Sequence, residues 1–274
     1  MIAGAILPAG VRAAGRGRKK RREKLAVVPA RSGDHVAARY FLEEAFHAPG
    51  RAAFKASLED PFYEPHDRLL VKQGSRIVGH VLVKHREMRF GPLVLPVGWV
   101  SWLATSTEYR RRGLGTRLLQ AAEEHLRESG SLVGLLRTGS PYFFRRTGWA
   151  LCGRHYHTRA DARGVISELL NRGLGRRRRG RLQIRPFRRW ELGALGRIYG
   201  RNLAGTYGAT VRSPAYWQWL VRRGPHDQIY MALDGPELLE LDEVNTRIVG
   251  YAVTRGEQII ELNTEPDCRK PAAA

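Results

Sequence analysis

The sequence has few cysteines and no long apolar segment. Only two of its 274 residues are cysteine, Cys152 and Cys268, too few for a disulfide framework or a cysteine-based metal site. No apolar run approaches the roughly 18 residues that a membrane-spanning helix needs. These absences exclude a disulfide-rich secreted protein and a helical membrane protein, and they predict a soluble protein of the reducing cytoplasm.

Acidic residues are scarce beside basic ones, because 26 Asp and Glu face 47 Lys and Arg and give a formal net charge of +21. Residues 1–24 contain eight Lys or Arg and one acid, and residues 172–189 contain nine Arg and no acid. The apolar stretch Met1–Ala14 precedes its basic cluster, the reverse of the order in a secretory signal. We therefore predict that residues 1–24 form a basic disordered tail and that the charges of both basic segments are solvated. We predict no specific nucleic-acid partner and no membrane partner.

The chain contains an internal repeat. Arg76–Val83 (RIVGHVLV) resembles Arg247–Thr254 (RIVGYAVT), and each follows another predicted strand and, further upstream, a predicted strand and helix. A length of 274 residues allows two domains, so the repeat predicts two α/β units in tandem. The predicted boundaries are 25–170 for the first unit, 171–181 for an Arg- and Gly-rich linker, and 182–274 for the second unit.

Hydrophobic periodicity predicts the elements of each unit. In the first unit, a hairpin that turns at Gly91 is followed by a helix that opens near Gly113, and the order β-α-β-β-β-α-β-α-β predicts a mixed central sheet with helices on both faces. The predicted elements after the first strands are Arg76–Phe90, Leu93–Thr105, the helix, Ser131–Arg137, Pro141–Arg146 and Trp149–Arg154. The second unit stops after its fourth predicted strand, Gln258–Asn263, so we predict that it is incomplete and lacks the glycine loop.

The segment Tyr109–Thr116 (YRRRGLGT) joins the hairpin to the helix. Its two glycines let the backbone turn tightly and approach a ligand, and the first amides of the helix have no partner within it. With the positive end of the helix dipole and three arginines, the segment predicts an anion site that suits a diphosphate. The alternative is a plain basic helix N-terminus with flexible glycines.

These residues resemble the GCN5-related N-acetyltransferase (GNAT) family. Its R-x-x-G-x-G signature matches Arg110, Gly113 and Gly115 between a predicted strand and helix, and Phe143–Trp149 is similar to the family segment F-Y-x-x-x-G-F. The resemblance covers residues 25 to about 160. The tandem arrangement is similar to that of the enhanced-intracellular-survival type acetyltransferases, although their third domain has no counterpart in this sequence.

The resemblance implies a bacterial, cytoplasmic N-acetyltransferase that transfers the acetyl group of acetyl-CoA to a primary amine of a small-molecule or peptide acceptor. No metal is implied, and a homo-oligomer is possible because an unfinished second sheet leaves an exposed edge. The alternative is a non-catalytic acyl-CoA-binding or regulatory protein. The resemblance implies that the backbone at Leu103, Ala104 and Thr105 binds the pantetheine arm, and that the diphosphate binds at Arg110, Arg111, Arg112, Gly113, Leu114, Gly115 and Thr116.

Acetyl transfer also needs a neutral amine and a proton for the departing thiolate. The resemblance assigns the proton donor to the tyrosine of F-Y-x-x-x-G-F, where this sequence has Phe144. Tyr142 is the candidate acid, but two residues along a helix turn a side chain by about 200°, so water is the alternative donor. Glu87 and Glu108 are the carboxylates nearest the site in sequence and thus the candidate bases, but Glu108 lies in the turn before the glycine loop, where we expect a solvated acid.

Other candidate residues favour structural roles. We expect His80 and His85 to be structural strand residues, and we expect no metal at His155–His157, because two histidines at i, i+2 have no third ligand in view. The aromatic residues of the second unit, Trp190, Tyr199, Tyr207, Tyr216, Trp217 and Trp219, are predicted to form a core rather than a base-stacking surface. The resemblance places the acceptor cleft near 47–66 and 137–142, where Phe54, Glu59, Asp60, Phe62, Tyr63 and Glu64 suggest an acidic, aromatic cleft for a cationic acceptor.

Overall fold

The computed structural model describes residues 2–6, 25–153, 159–172, 182–235 and 247–269. The chain divides into two compact units, Met1–His155 and Tyr156–Ala274. The division therefore falls before the predicted linker, and helix α5 (Ala162–Asn171) belongs to the second unit. Among the described residues, no helix has both the length and the apolar character to cross a membrane.

The first unit is a mixed sheet with helices on both faces, as the sequence predicts. Its strands follow the order β2-β3-β4-β5-β6-β1-β7, and only the β5–β6 pair is parallel. Helix α3 packs on one face, and α1 and α2 pack on the other. The elements are β1 (Ile2–Ile6), β2 (Val27–Pro29), α1 (His35–Phe46), α2 (Arg51–Leu58), β3 (Arg68–Gln73), β4 (Arg76–Phe90), β5 (Leu93–Thr105), α3 (Leu114–Glu128), β6 (Val133–Arg137), α4 (Pro141–Arg145) and β7 (Ala150–Gly153).

Strand β1 lies within the range that the sequence predicts to be a disordered tail. Ile2–Ile6 pairs antiparallel with β6 on one side and with β7 on the other. Because β6 and β7 each present backbone N–H and C=O groups toward the gap between them, a five-residue extended segment satisfies both strands. The predicted disorder is therefore wrong for residues 2–6, and residues 7–24 lie outside the described part of the chain.

Helix α3 approaches the sheet closely through a glycine socket. Gly98 of β5 and Gly134 of β6 are register partners. A Cβ atom at Gly98 would lie 1.8 Å from Leu126 Cδ2, and one at Gly134 would lie 3.2 Å from Leu126 Cδ1. The missing side chains therefore make room for Leu126, which is fully buried. The buried face of α3 is the one that periodicity predicts: Leu114, Leu118, Leu119, Ala122 and Leu126.

The second unit has a four-stranded antiparallel sheet in the order β12-β11-β10-β8. Its core is formed by α6, α7 and the sheet, with Leu195, Ile198 and Met231 fully buried. After α5, its elements are β8 (Leu182–Pro186), α6 (Leu192–Leu203), β9 (Tyr207–Thr210), α7 (Pro214–Arg223), β10 (Gln228–Asp234), β11 (Arg247–Arg255) and β12 (Gln258–Thr264).

The two segments of the internal repeat lie on corresponding strands of the two sheets. The strand order β2-β3-β4-β5 of the first unit corresponds to β8-β10-β11-β12 of the second. Gly79 pairs with Thr105, and Gly250 pairs with Thr264. Each glycine also lies beside an irregularity in its pairing with the preceding strand. This correspondence of register supports the predicted repeat of one unit.

The aromatic residues of the second unit have two environments. Trp217 is buried, and Tyr199 packs against its ring, as predicted. Trp190 and Tyr207 are 75% and 78% exposed, so the predicted core role is wrong for both. Trp190 lies on a single 3-10 turn that points it outward, where the Arg188 guanidinium lies 5.7 Å from its ring. Tyr216 and Trp219 stack on each other with ring centroids 5.3 Å apart.

Candidate active site

The parallel strands β5 and β6 separate partway along their length. Their pairing runs from Val97 to Val100 of β5, whereas the pairing of β5 with β4 continues to Thr105. Beyond Val100, β5 therefore follows β4 and leaves β6. Leu103, Ala104 and Thr105 lie in this stretch, so their backbone groups on the β6 side have no partner strand among the described residues. Unpaired strand groups of this kind are available to a ligand.

A β-bulge shapes the same end of β5. His80 pairs with Ala104 and Leu82 pairs with Ser101, so two residues of β5 lie opposite one residue of β4. Trp102, within the bulge, has a φ of 55°, a left-handed conformation that a large residue adopts only when its surroundings impose it. His80 Nδ1 donates a hydrogen bond to the Trp102 carbonyl at 2.9 Å. The buried histidine therefore holds the bulge in place.

The N-terminus of α3 presents free backbone amides. Gly113 is its N-cap, with a φ of 77°, and the first helical hydrogen bond runs from Arg117 N to Gly113 O at 3.1 Å. The amides of Leu114, Gly115 and Thr116 therefore have no acceptor within the helix. Gly113 is exposed, and a Cβ atom there would meet nothing within 4 Å. The space in front of these amides is therefore open.

Three exposed arginines precede these amides. Arg111 has a φ of 58°, so the loop turns sharply between β5 and α3. The Arg112 guanidinium lies 4.9 Å from the Tyr109 ring, and Tyr109 in turn hydrogen-bonds to Gln73. The cations Arg110, Arg111 and Arg112 and the open amides together can bind an anion such as a diphosphate.

Helix α4 lies beside the start of α3. Phe143 Cζ is 3.6 Å from the position of a Cβ atom at Gly115, and the rings of Phe143 and Phe144 are 5.0 Å apart. Phe144 packs inward against Trp149. Tyr142 lies on the outer face, 73% exposed. The structure therefore packs Phe144, which stands at the tyrosine position of the family motif, against the core and leaves the candidate acid Tyr142 at the surface.

Arg68 is the centre of a buried polar network that sequence reasoning misses. Arg68 Nη1 donates to His80 Nε2 at 3.1 Å, and Arg68 Nε donates to the Tyr63 hydroxyl at 2.9 Å. The Tyr63 hydroxyl then donates to His35 Nε2 at 2.8 Å. Burial lowers the pKa of Arg68 and raises that of Tyr63. The network links α1, β3 and β4 to the bulge of β5.

The six residues of the predicted acidic, aromatic cleft have two environments. Phe54 is buried with the Arg68 guanidinium 4.7 Å from its ring, Tyr63 belongs to the network, and Asp60 is buried in an ion pair with Arg86. Glu59, Phe62 and Glu64 are exposed. Burial, followed by the charge of Arg86, lowers the pKa of Lys84 on the same strand face. This face of β4 is thus more cationic than the sequence suggests.

The candidate bases lie at the surface. Glu108 forms an exposed ion pair with Arg76 at 3.1 Å, and Glu87 is exposed on β4. Neither contacts the bulge of β5 in any described interaction. His155–His157 lies outside the described residues.

Comparison with known proteins identifies the fold. Residues 26–152 match the family model of the acetyltransferase (GNAT) domain. None of the curated protein sequences compared with the chain matches it. Similar solved structures include a GCN5-related N-acetyltransferase from Kribbella flavida, with a TM-score of 0.64, 17% identity, and coverage of 88% of this chain and 57% of that chain.

Two further structures give the same result. A GCN5-related N-acetyltransferase from Anabaena variabilis has a TM-score of 0.61 and 15% identity, over 88% of this chain and 59% of that chain. Eis1 from Mycobacterium abscessus has a TM-score of 0.57 and 15% identity, over 88% of this chain and 60% of that chain. The chain thus spans about three fifths of the length of these structures. Residues 26–152 therefore match the GNAT acetyltransferase domain, and the fold of the chain is similar to that of these structures.

Proposed function

We propose that the first unit transfers the acetyl group of acetyl-CoA to a primary amine. The observation that carries the proposal is the continuity between the unpaired end of β5 and the open amides of α3. One chain segment, from Leu103 to Thr116, offers backbone groups for an extended arm and an anion site for a diphosphate. The match of residues 26–152 to the GNAT acetyltransferase domain supports this assignment.

The proposed chemistry depends mainly on positioning and on polarisation of the thioester carbonyl. The amides of Leu114, Gly115 and Thr116 hold the diphosphate, and the backbone of Leu103–Thr105 orients the arm and donates to the carbonyl oxygen. The acceptor nitrogen attacks the carbonyl carbon, so a C–N bond forms and the C–S bond breaks. The thiolate takes a proton from Tyr142, or from water if Tyr142 is not the acid, and the nitrogen loses one proton to solvent.

The charges on this face of β3 and β4 influence which acceptor is preferred. Arg68 and Lys84 place two cationic groups on this face, where Asp60 is already paired with Arg86. We therefore expect a primary amine that also carries an anionic group to be a better acceptor than a polyamine, because a second positive charge would be repelled. A mass-spectrometric acceptor screen that includes amino acids, peptides, aminoglycosides and polyamines tests this order.

Replacement of Gly113 with glutamate tests the anion site. Gly113→Glu places bulk and negative charge in front of the open amides, at a residue whose φ of 77° already disfavours a side chain. We expect acetyl-CoA affinity to fall by about 100-fold, because several charge-assisted hydrogen bonds are weakened together. Isothermal calorimetry with the full chain measures the change.

Gly205→Glu is the matched control. Gly205 lies just after α6 in the second unit, with a φ of 75° and nothing within 4 Å of a Cβ atom, so the substitution carries the same charge and similar strain outside the proposed site. Equal acetyl-CoA affinity in the two variants contradicts the proposed anion site. Tight binding of acetyl-CoA with no thiol release across the acceptor screen instead favours a non-catalytic acyl-CoA-binding protein.

A further inference from the structure

Three histidines converge on one carboxylate oxygen in the first unit. His125 Nε2 lies 3.1 Å from Asp67 Oδ1, His85 Nε2 lies 3.4 Å from it, and His66 Nε2 lies 4.0 Å from it. Ligand atoms of His66, Asp67 and His125 all lie within 4.8 Å of one another. The four residues come from the turn before β3, from β4 and from the last turns of α3. We name them the His-Asp cluster.

The hydrogen bonds around His85 orient its ring. The Ser129 hydroxyl donates its hydrogen to the Leu126 carbonyl at 2.9 Å. His85 Nδ1 lies 3.2 Å from Ser129 Oγ and 3.4 Å from Ser131 Oγ, so the other ring nitrogen, Nε2, faces Asp67 Oδ1. Oxygen atoms that hold the second nitrogen of an imidazole in this way orient metal-ligating histidines in proteins.

Asp67 is also arranged as a ligand. Its side chain is only 3% exposed, and its Oδ2 atom accepts from the Glu64 amide at 2.9 Å. This hydrogen bond orients the carboxylate so that Oδ1 faces the three imidazoles. An oriented carboxylate and a histidine whose second nitrogen donates to a neighbouring oxygen are the supports that metal ligands have in proteins.

We propose that the His-Asp cluster binds one zinc-class transition-metal ion. Bonds of about 2.0–2.1 Å in a tetrahedral site separate neighbouring ligand atoms by about 3.3 Å, close to the 3.1 and 3.4 Å found for His125 and His85. His66 is 60% exposed and has room to move inward. Three imidazoles and a carboxylate fill four positions, so the site is structural and joins α3 to β4 and to the turn before β3.

This site is separate from the proposed acyl-donor site. His125 lies eleven residues after Leu114 in α3, which is about 16 Å along the helix axis, so a metal there is at the opposite end of the helix from the open amides. Failure of one proposal therefore leaves the other intact. The ligands are distant in sequence, so neither the cysteine count, nor the family resemblance, nor the spacing of His155–His157 could indicate this site.

Zinc titration of the full, untagged chain tests the proposal. After removal of metals with a chelator, calorimetry should show one equivalent of Zn²⁺ bound with a Kd below about 1 µM. Co²⁺ should bind competitively and give the visible d–d absorption of a tetrahedral site. His66→Ala and His125→Ala should each weaken Zn²⁺ binding by about 100-fold or more, since even loss of a supporting residue costs 10- to 100-fold.

His226→Ala is the matched control, because it removes a partly buried histidine of the second unit. Its Zn²⁺ affinity should equal that of the unaltered chain. Circular dichroism checks that His66→Ala is folded, which its exposure favours. A Kd above about 1 µM for the unaltered chain, or the same affinity in His66→Ala as in His226→Ala, overturns the proposal.

Discussion

His80 is a neutral histidine in a fully buried position. Its Nδ1 atom donates to the Trp102 carbonyl, and its Nε2 atom accepts from Arg68, so both ring nitrogens are used without a positive charge. Burial, and then the charge of Arg68, lowers its pKa to about 3. Protonation would place a second cation beside Arg68 and remove the acceptor that Arg68 needs. The network around the bulge therefore persists only while His80 is neutral.

This arrangement makes the free energy of unfolding depend on pH. The unfolded chain binds a proton at His80 below about pH 6.5, whereas the folded chain resists protonation until about pH 3. The folded state therefore loses stability as the pH falls through this interval, by roughly 1.4 kcal/mol per pH unit. We expect His80→Gln to lack this contribution, so its decrease from pH 6.5 to pH 5 should be about 2 kcal/mol smaller.

Urea unfolding followed by tryptophan fluorescence at several pH values measures the difference. His35 and His226 also have a pKa lowered by burial, but both remain in the variant, so their contributions cancel in the comparison. Identical pH dependence of the unaltered chain and His80→Gln would show that His80 is not protonated differently in the two states.

At the scale of single residues, sequence predicts local motifs and misses distant partners. Gly113 and Gly115 are evident because their roles depend on a few neighbouring residues. The links from Arg68 to His80 and to Tyr63 cross between separate elements, and only the register of the strands brings them together. The predicted structural role of His80 is confirmed by its burial, but its partners could not be named.

Helix α4 shows how one element determines which side chain can act. Phe144 packs against Trp149, whose indole nitrogen donates to Glu123 of α3 at 2.7 Å. Because α4 is anchored through this face, Tyr142 lies on the exposed one. Tyr142 remains the candidate proton donor, and it can act only if the bound thiolate lies on the solvent side of α4.

Replacement of Tyr142 with phenylalanine tests this role. If Tyr142 protonates the thiolate, Tyr142→Phe should lower kcat by about 100-fold with little change in KM for acetyl-CoA, because general acids contribute about 10²-fold or more. Tyr207→Phe is the control, since Tyr207 is a similarly exposed tyrosine of the second unit. An unchanged kcat in Tyr142→Phe assigns the proton to water.

Element boundaries follow from local signals where these are strong. The hairpin Arg76–Phe90 and Leu93–Thr105 is confirmed residue for residue, because Gly91 adopts a positive φ at its turn. Helix α2 and strand β1 were not predicted. The segment of α2 has only Phe54 buried, which gives weak periodicity, and β1 exists only because its partners β6 and β7 are arranged around it.

The two units differ at the end of their fourth strands. In the first unit, β5 leads through a 3-10 turn to Gly113 and α3. In the second unit, β12 leads to the 3-10 turn Pro266–Arg269, and no described residue of this unit provides a corresponding glycine loop. Within the described residues, the correspondence of the sheets therefore does not extend to the anion site.

We accordingly expect one acetyl-CoA to bind per chain. Calorimetry or native mass spectrometry with the full chain measures the stoichiometry. Gly113→Glu should abolish the single acetyl-CoA binding event, rather than one of two such events. A ratio of two acetyl-CoA per chain would show that the second unit also binds the acyl donor. Because each unit has its own hydrophobic core, the substitution should leave the second unit folded.

The glycine socket under Leu126 restricts how this chain can change over evolutionary time. A methyl group at position 98 would overlap Leu126, and one at position 134 would crowd both Leu126 and Trp149. A larger residue at position 98 therefore requires a smaller residue at position 126, and that replacement by itself leaves a cavity. A route that changes one of these two positions at a time passes through a less stable intermediate. Positions 98 and 126 are thus expected to change together, and with them the distance between α3 and the sheet.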